Sequence, residues 1–354
     1  MINKLKNLCL NKTLIQKYSK KSVLLIEDDY SSWVLNQMSI EFKNIFKEID
    51  IDARFRKFKF FYKNQSIFYL NKYKLLNWDK TQLTKAIHFP HGYPNNENNI
   101  DLFSSLKKNQ HDIQKIHVTH EKMKNYMLEK KIDEDKIMKI YNLVDLEKFK
   151  FFNEIDRRIN RKKYNINEND FVIGSFQKDG IGWNLGNKPK LEKGPDIFIE
   201  ILKRTKKLKK NILVILTGPS RGFVINELKK HGIKYLYFKN VEYEKLQNLY
   251  SLLDLYLITS REEGGPRSLL ESMATGVPVI SSKVGQCEEI IKNGENGFLV
   301  DIGDIKNYIE FIDIIISNKL STKLINYARE TAEVNSYNAQ KNQWKIFFRG
   351  IINS

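Results

Sequence analysis

The densest chemistry in this chain lies in nine consecutive residues, Glu263-Gly264-Gly265-Pro266-Arg267-Ser268-Leu269-Leu270-Glu271. Two carboxylates flank a glycine pair and a proline, with seven residues between them. A carboxylate accepts strong hydrogen bonds, including those from sugar and ribose hydroxyls. The glycines let the backbone approach a ligand closely. Pro266 suits the first position of a helix, where the amides that follow meet an anion with the helix dipole behind them. A phosphorylated, hydroxyl-rich ligand matches this set. On spacing alone, an ordinary strand–turn–helix with solvated glutamates matches it equally well.

Positioning these residues takes strands that alternate with helices. In the first half, apolar runs predict strands at Ser22–Ile26, Lys85–Phe89, Lys115–Thr119 and Lys136–Ile140. Helices are expected over Ser32–Lys47 and Glu121–Lys130. Ser66–Leu76 reads as strand or helix, and the aromatic cluster Phe58–Tyr62 as core or domain-interface packing, with a lipid contact as the alternative. The polar, charged stretch Phe149–Asn169 reads as the linker. The second half predicts strands at Phe171–Phe176, Ile212–Thr217, Lys234–Phe238, Leu255–Ile258 and Pro278–Ser281. Helices are expected over Pro195–Lys203, Val224–Lys230, Lys245–Leu252 and Pro266–Ala274. Such alternation implies a parallel sheet covered on both faces. The chain is therefore α/β, with two doubly wound domains over residues 1–160 and 161–332 and a cleft between them. A closing segment, 333–354, contains an amphipathic helix at Tyr337–Ile352. Ligands of open parallel sheets bind beyond the carboxyl ends of the strands, which is where Leu255–Ile258 delivers Glu263.

Composition bounds the partners. With 354 residues, 41% of them apolar and 29% charged, each domain can bury its own core. No apolar run nears the ~20 residues needed to span a bilayer. The basic N-terminus lacks the apolar core and cleavage site of a secretory signal. Cys9 and Cys287 stand far apart, which suggests neither a disulfide framework nor a metal cluster, and Cys287 beside Glu288 and Glu289 is poorly set for a thiolate. A reducing cytoplasm is the natural compartment. The net charge of +18 is not accompanied by a nucleic-acid motif, so nucleic acid is not an expected partner. A positive field suits anionic sugar nucleotides and an anionic membrane surface; a general bias towards lysine explains the charge as well. Gly180–Gly186 has one residue too many for a dinucleotide fingerprint and no helix behind it. Gly218–Gly222 reads as an anion nest or as a tight strand-to-helix turn.

Beyond the nine residues, the match widens. Ala274-Thr275-Gly276-Val277-Pro278-Val279 and Glu295-Asn296-Gly297-Phe298-Leu299-Val300 follow in order. Together with Glu263 and Glu271, they resemble the donor-binding segment of retaining glycosyltransferase family 4 (glycosyl transferases group 1). The resemblance implies the GT-B fold, in which two Rossmann-like domains face each other and a C-terminal helix crosses back to the first. It implies that Glu263 and the Gly264–Gly265 backbone hold the donor sugar, that Glu271 binds the ribose, and that amides near Ser268 and Leu269 meet the diphosphate. Lys193-Gly194 matches the family's Lys-Gly pair, which neutralises the diphosphate. Ser175 stands at the usual arginine position, and Lys178 is its substitute. Lys136–Phe149 matches the element before the linker, with Tyr141 and Leu143 in place of proline and glycine. The loop Glu27–Trp33 departs from the family's Gly-rich turn. His91 is the positional match for a histidine near the reacting sugar, whereas His88, inside a strand, reads as structural.

The implied activity is transfer, with retention, of a hexosyl group from a nucleoside-diphosphate sugar to a glycan or lipid-linked acceptor. Surface polysaccharide or lipopolysaccharide assembly at the inner face of the plasma membrane is the implied setting. His91, Glu263 and Lys193 are the catalytic candidates. No metal or other cofactor is expected, since the architecture normally uses none and the chain has no Asp-x-Asp in a suitable loop. Two alternatives stay open. One is a sugar-nucleotide epimerase or phosphorylase on the same fold, and the other is a degenerate sugar-nucleotide-binding or scaffold protein.

Overall fold

The computed structural model describes residues 23–27, 38, 41, 42, 45, 46, 48, 52–55, 65–78, 84–93, 97–209, 211–239, 241–317 and 322–352. The chain divides into two compact units, Met1–Ile140 with Lys341–Ser354, and Tyr141–Gln340. The loop after the first strand, the cluster Phe58–Tyr62 and Cys9 lie outside the described residues.

The first unit is built on β1 (Val23–Glu27), β2 (Asp52–Phe55), β3 (Gln65–Tyr69), β4 (Thr84–His88), β5 (Ile113–Val118) and β6 (Ile137–Lys139). They run parallel in the order β2-β1-β3-β4-β5-β6. Ser66–Leu76 resolves into strand β3 followed by a 3-10 helix, Lys72–Asn77. On one face, Ile67, Ile87, Phe89 and Ile116 pack with Leu102, Phe103 and Leu106 of α1 (Glu97–Asn109) and Met123 and Met127 of α2 (Glu121–Glu129). Helix α1 went unread in the sequence because its Asn-rich start masks the apolar spacing. A second aromatic cluster joins Phe42 and Phe68 to Trp344 and Phe348 of the terminal helix Tyr337–Ile352, with ring centroids 4.5 to 6.1 Å apart. The expected docking of that helix on the first domain is realised by these rings.

The second unit opens earlier than the linker reading places it. Residues 154–163 form helix α3 (Glu154–Lys163), and two of its arginines fasten it to the second unit. Arg161 donates to the Leu252 carbonyl (2.8 and 3.0 Å) and pairs with Asp254 at 2.8 Å. Arg157 donates to the Leu253 carbonyl. Polarity there marks a helix held by charge.

The remaining elements are β7 (Phe171–Phe176), α4 (Pro195–Leu208), β8 (Ile212–Thr217), α5 (Gly222–Lys230), β9 (Lys234–Phe238), α6 (Tyr243–Tyr250), β10 (Leu255–Ile258), α7 (Arg267–Thr275), β11 (Val279–Ser282), α8 (Cys287–Ile290), β12 (Phe298–Val300), α9 (Ile305–Ile316) and α10 (Thr322–Val334). The last strand and the two helices after it extend the regular structure beyond Ser281, where the sequence reading stopped. The parallel order is β12-β11-β10-β7-β8-β9. Strands such as Ile-Leu-Val-Ile-Leu-Thr of β8 are buried at every position, as a sheet covered on both faces requires. Strand order reverses between β7 and β10, which pair directly through Leu255 and Ile173.

Candidate functional site

A reversal of strand order leaves a crevice beyond the carboxyl ends of the two central strands. In the second unit those strands are β7 and β10, and their loops carry Lys193 and Glu263. The two loops are bonded to each other. The amides of Arg261 and Glu262 donate to the Glu192 carbonyl at 2.7 and 3.1 Å, and Thr259 Oγ1 donates to the Gly194 carbonyl at 3.0 Å. Gly194 adopts φ +61°, and a Cβ there would lie 1.9 Å from the Thr259 carbonyl oxygen. Only glycine allows this approach. Arg261 grips Asp196 at the start of α4 with two bonds of 2.6 and 2.8 Å, and this holds the Asp196 carboxyl below its ordinary range.

That frame sets Lys193 Nζ 2.5 Å from Glu263 Oε1. Ser260 Oγ donates to the same carboxylate oxygen at 3.0 Å. The pair is half-buried, so the ammonium and carboxylate are oriented before any ligand arrives. Gly264 and Gly265 are clamped from behind. The Gln286 amide donates to the Gly264 carbonyl (2.8 Å), and Asn142 Nδ2 donates to the Gly265 carbonyl (2.6 Å). The Gln286 side chain accepts from the Asn142 amide at 2.8 Å. A Cβ on Gly265 would fall 2.3 Å from Gln286 Oε1.

Helix α7 begins at Arg267, with Pro266 as its cap residue at ψ 116°; the expectation of Pro266 inside the first turn is corrected by one position. The Leu269 amide donates to the Pro266 carbonyl at 3.1 Å, which leaves half-buried Ser268 the better placed of the two residues for a diphosphate. Glu271 is buried. Its Oε1 accepts from Tyr243 (2.9 Å) and its Oε2 from Tyr250 (2.8 Å). Arg267 Nη2 in turn donates to the Tyr243 hydroxyl at 2.7 Å. Arg267 Nε also lies 3.7 Å from Glu271 Oε1, so this network orients the Glu271 carboxylate. Burial, then the Glu271 charge, pushes the Tyr250 hydroxyl well above its ordinary range.

Lys178 lies over the Trp183 ring, 4.8 Å from its centroid, and donates to the Gly180 carbonyl at 3.3 Å. Burial lowers its pKa, and the neighbouring charges of Lys190 and Lys193 add to the shift. Ser175, at the position read as the missing arginine, is buried and accepts from Arg221 Nη2 at 3.1 Å. Arg221 also donates to the carbonyls of Ser175, Gln177 and Thr217. Its Nε sits 3.0 Å from Asp179 Oδ1, off the line of a hydrogen bond, with both side chains wholly buried. Gly218–Gly222 is therefore a turn organised around a structural arginine. Cys287 is buried, which raises its thiol to about 12, in keeping with the reading of it as unreactive.

In the first unit, His91 follows β4 in a loop fixed from two sides. Lys72 Nζ donates to the His91 carbonyl at 2.6 Å, and Thr119 Oγ1 to the Pro90 carbonyl at 3.0 Å. His91 itself is half-buried. His88 is buried in β4, 2.7 Å from His117 through the two Nδ1 atoms.

Residues 156–331 match the family described as glycosyl transferases group 1. The chain belongs to this family. Its fold is GT-B, as in Anabaena HepE solved in complex with UDP and glucose, which superposes with a TM-score of 0.73 at 16% identity over 93% of this chain and 99% of that one. Among curated relatives, the N-acetyl-alpha-D-glucosaminyl L-malate synthase of Bacillus anthracis is 24% identical over 196 residues, 55% of this chain and 48% of that protein. The Escherichia coli UDP-Gal:alpha-D-GlcNAc-diphosphoundecaprenol alpha-1,3-galactosyltransferase is 28% identical over 229 residues, 61% and 54% respectively. The chain spans about half the length of these relatives.

Within this group 1 frame, Lys193, Glu263, Gly264, Gly265, Ser268, Leu269 and Glu271 all lie in the second unit around the ends of β7 and β10. Lys178 lies in the same unit, on the stretch between β7 and Lys193, with its ammonium over the Trp183 ring. His91 belongs to the first unit. Sequence reasoning missed Ser260, Asn142, Gln286, Tyr243 and Tyr250. Asn142 and Gln286 lie inside the stretches that carry the resemblance, but their meeting across 144 positions leaves no periodic trace.

Proposed function

We propose that the chain is a retaining glycosyltransferase of family 4 that moves a hexosyl group from a nucleoside-diphosphate sugar to a glycan or lipid-linked acceptor. The observation that carries this reading is the Lys193–Glu263 pair, held at 2.5 Å at the reversal point of a parallel sheet. Glu263 and the Gly264–Gly265 backbone take the sugar, Glu271 the ribose, and Ser268 in the first turn of α7 faces the diphosphate. Charge builds on the departing diphosphate as the bond to the sugar breaks. Lys178, Lys193 and the helix dipole meet that charge, and electrostatic support of this kind is the largest rate term in many enzymes. The reading assigns no metal to the step. His91 is the acceptor-side catalytic group in this proposal.

The bound UDP of HepE and the UDP-sugar and diphosphoundecaprenol in the name of the Escherichia coli relative support the donor and acceptor classes. Surface polysaccharide or lipopolysaccharide assembly, on the cytoplasmic face of an anionic membrane, fits a chain of net charge +18. Among the described residues no helix is long and apolar enough to cross a membrane.

A panel of nucleoside diphosphates and their sugars tests the donor assignment through thermal stabilisation, because a ligand of the folded state stabilises by mass action. One nucleotide class should raise the melting temperature. With that donor and a lipid-linked acceptor, the coupling constant of the product's anomeric proton reads retention. Stabilisation by no member of the panel would favour a scaffold without a donor site, and inversion would remove the protein from the retaining family.

A further inference from the structure

Between β7 and Lys193 the chain makes a long excursion, and its tip has an unusual composition. Ile181, Trp183 and Leu185 are 59%, 57% and 71% exposed. Loop tips ordinarily carry polar turn residues, so three large apolar side chains within five positions need a reason.

Their exposure is built in. The excursion closes as an antiparallel ribbon, with a bridge between Gly180 and Pro189. The Ile181 amide donates to the Lys188 carbonyl (2.9 Å), and the Lys190 amide to the Asp179 carbonyl (2.8 Å). The following turn grips the ribbon from below. Ser220 Oγ donates to the carbonyls of Gly182 and Asn184 at 2.9 and 3.0 Å, and the amides of Gly222 and Phe223 donate to those of Leu185 and Gly186 at 2.6 and 2.9 Å. A Cβ on either Gly180 or Gly186 would lie 2.3 Å from the Ser220 carbonyl oxygen. Beneath it all lies the buried Asp179–Arg221 pair. The backbone is thus committed, and the apolar side chains have no route back to a core.

The charge around them has one sign. Residues 180–190 contain Lys188 and Lys190 and no acidic residue, and the Lys178 ammonium lies over the Trp183 ring. The neighbouring Asp179 is neutralised by Arg221 inside the fold. Tryptophan beside aliphatic side chains, ringed by lysines, is the set that settles at a bilayer interface, with the rings at headgroup depth and the cations on anionic lipid. Three side chains fall well short of the roughly 800 Å² per partner that a stable protein interface buries. A bilayer asks for less area when lysines assist.

We propose that the ribbon 180–190 is the membrane-contact element of this protein, inserting Ile181, Trp183 and Leu185 into the interface of an anionic bilayer. This rests on the surface-membrane part of the function proposed above, and it assigns that contact to one element.

The test is co-sedimentation of the full chain with phosphatidylcholine vesicles containing roughly 30% phosphatidylglycerol. The Ile181→Ser/Leu185→Ser double variant should partition about tenfold more weakly, with unchanged melting temperature and donor-nucleotide affinity. Brominated lipid should quench the fluorescence of the parent, and Trp183→Phe should lose the share of that quenching that belongs to Trp183, the exposed tryptophan among the described residues. If the parent binds vesicles and the double variant binds equally well, the ribbon is not the contact, although the membrane reading stands. Absence of parent binding overturns both. A changed oligomeric state of the double variant in vesicle-free solution would make the tip a protein interface and overturn the proposal.

Discussion

Lys193 Nζ and Glu263 Oε1 lie 2.5 Å apart although 70 positions separate them in the chain. The contact joins the loop after β7 to the loop after β10, the two strands that flank the reversal of sheet order. Each side chain orients the other, and neither can be removed without leaving a half-buried charge. Replacing Lys193 by Met keeps most of the aliphatic stem and deletes the ammonium. Turnover should fall on the order of 10²-fold, with a melting temperature lowered by the half-buried Glu263 charge left without its partner. Steady-state transfer assays beside thermal melts measure the two effects separately.

Glu271 depends on two tyrosines. Tyr250→Phe removes the 2.8 Å bond to Oε2 and leaves a buried carboxylate short of a donor, which should cost about 1–3 kcal/mol of stability. Donor affinity should also drop a few-fold, because the carboxylate loses its fixed orientation. Urea unfolding with and without nucleotide separates the two. Full stability in the variant would mean that the carboxylate is satisfied by other groups.

The Asp179–Arg221 pair is structural, and its loss should be felt far from catalysis. Asp179→Ala strands a guanidinium inside the second unit, and removal of one partner of such a pair costs about 3–5 kcal/mol. Burial already raises the Asp179 carboxyl above its ordinary range, against the opposing pull of Arg221. The double variant Asp179→Ala/Arg221→Met should recover part of the loss. Denaturant midpoints of the single and double variants measure the coupling.

Acid should destabilise the first unit through His88 and His117. Burial holds His88 well below its ordinary value, and the His117 value falls to about 4. His117 Nε2 donates to the Ile140 carbonyl at 2.8 Å, which makes its Nδ1 the acceptor for His88 Nδ1–H in a neutral pair. The unfolded chain binds protons near pH 6.5 and the folded chain resists, so stability is full above that pH and declines towards pH 4. His117 alone accounts for up to about 3 kcal/mol over this window. The slope of unfolding free energy against pH should shrink in His88→Phe, and an unchanged slope would assign the acid sensitivity to other groups.

The second unit was largely legible because its strands are continuous apolar runs that end in glycine or proline turns. Strand β9 and the terminal helix fall at the residues the spacing predicts. What escaped has physical causes. Helix α3 exposes Ile155 and Ile159 and is held by Arg157 and Arg161, so its apolar pattern points away from its attachment. Glu263 and Glu271 stood out by type and spacing, and Lys178 and Lys193 through the family resemblance. The groups that orient them did not, since Tyr243, Tyr250, Asn142 and Gln286 are ordinary residues until the fold sets them against Glu271 and Gly265.

Calorimetric titration of the stabilising nucleoside diphosphate into the parent and into Glu271→Ala and Lys193→Met tests the donor site most directly. The parent should bind with a single site per chain, and each variant should bind at least tenfold more weakly, a difference of about 1.4 kcal/mol. Equal affinity in all three proteins would contradict the placement of the nucleotide sugar at the ends of β7 and β10.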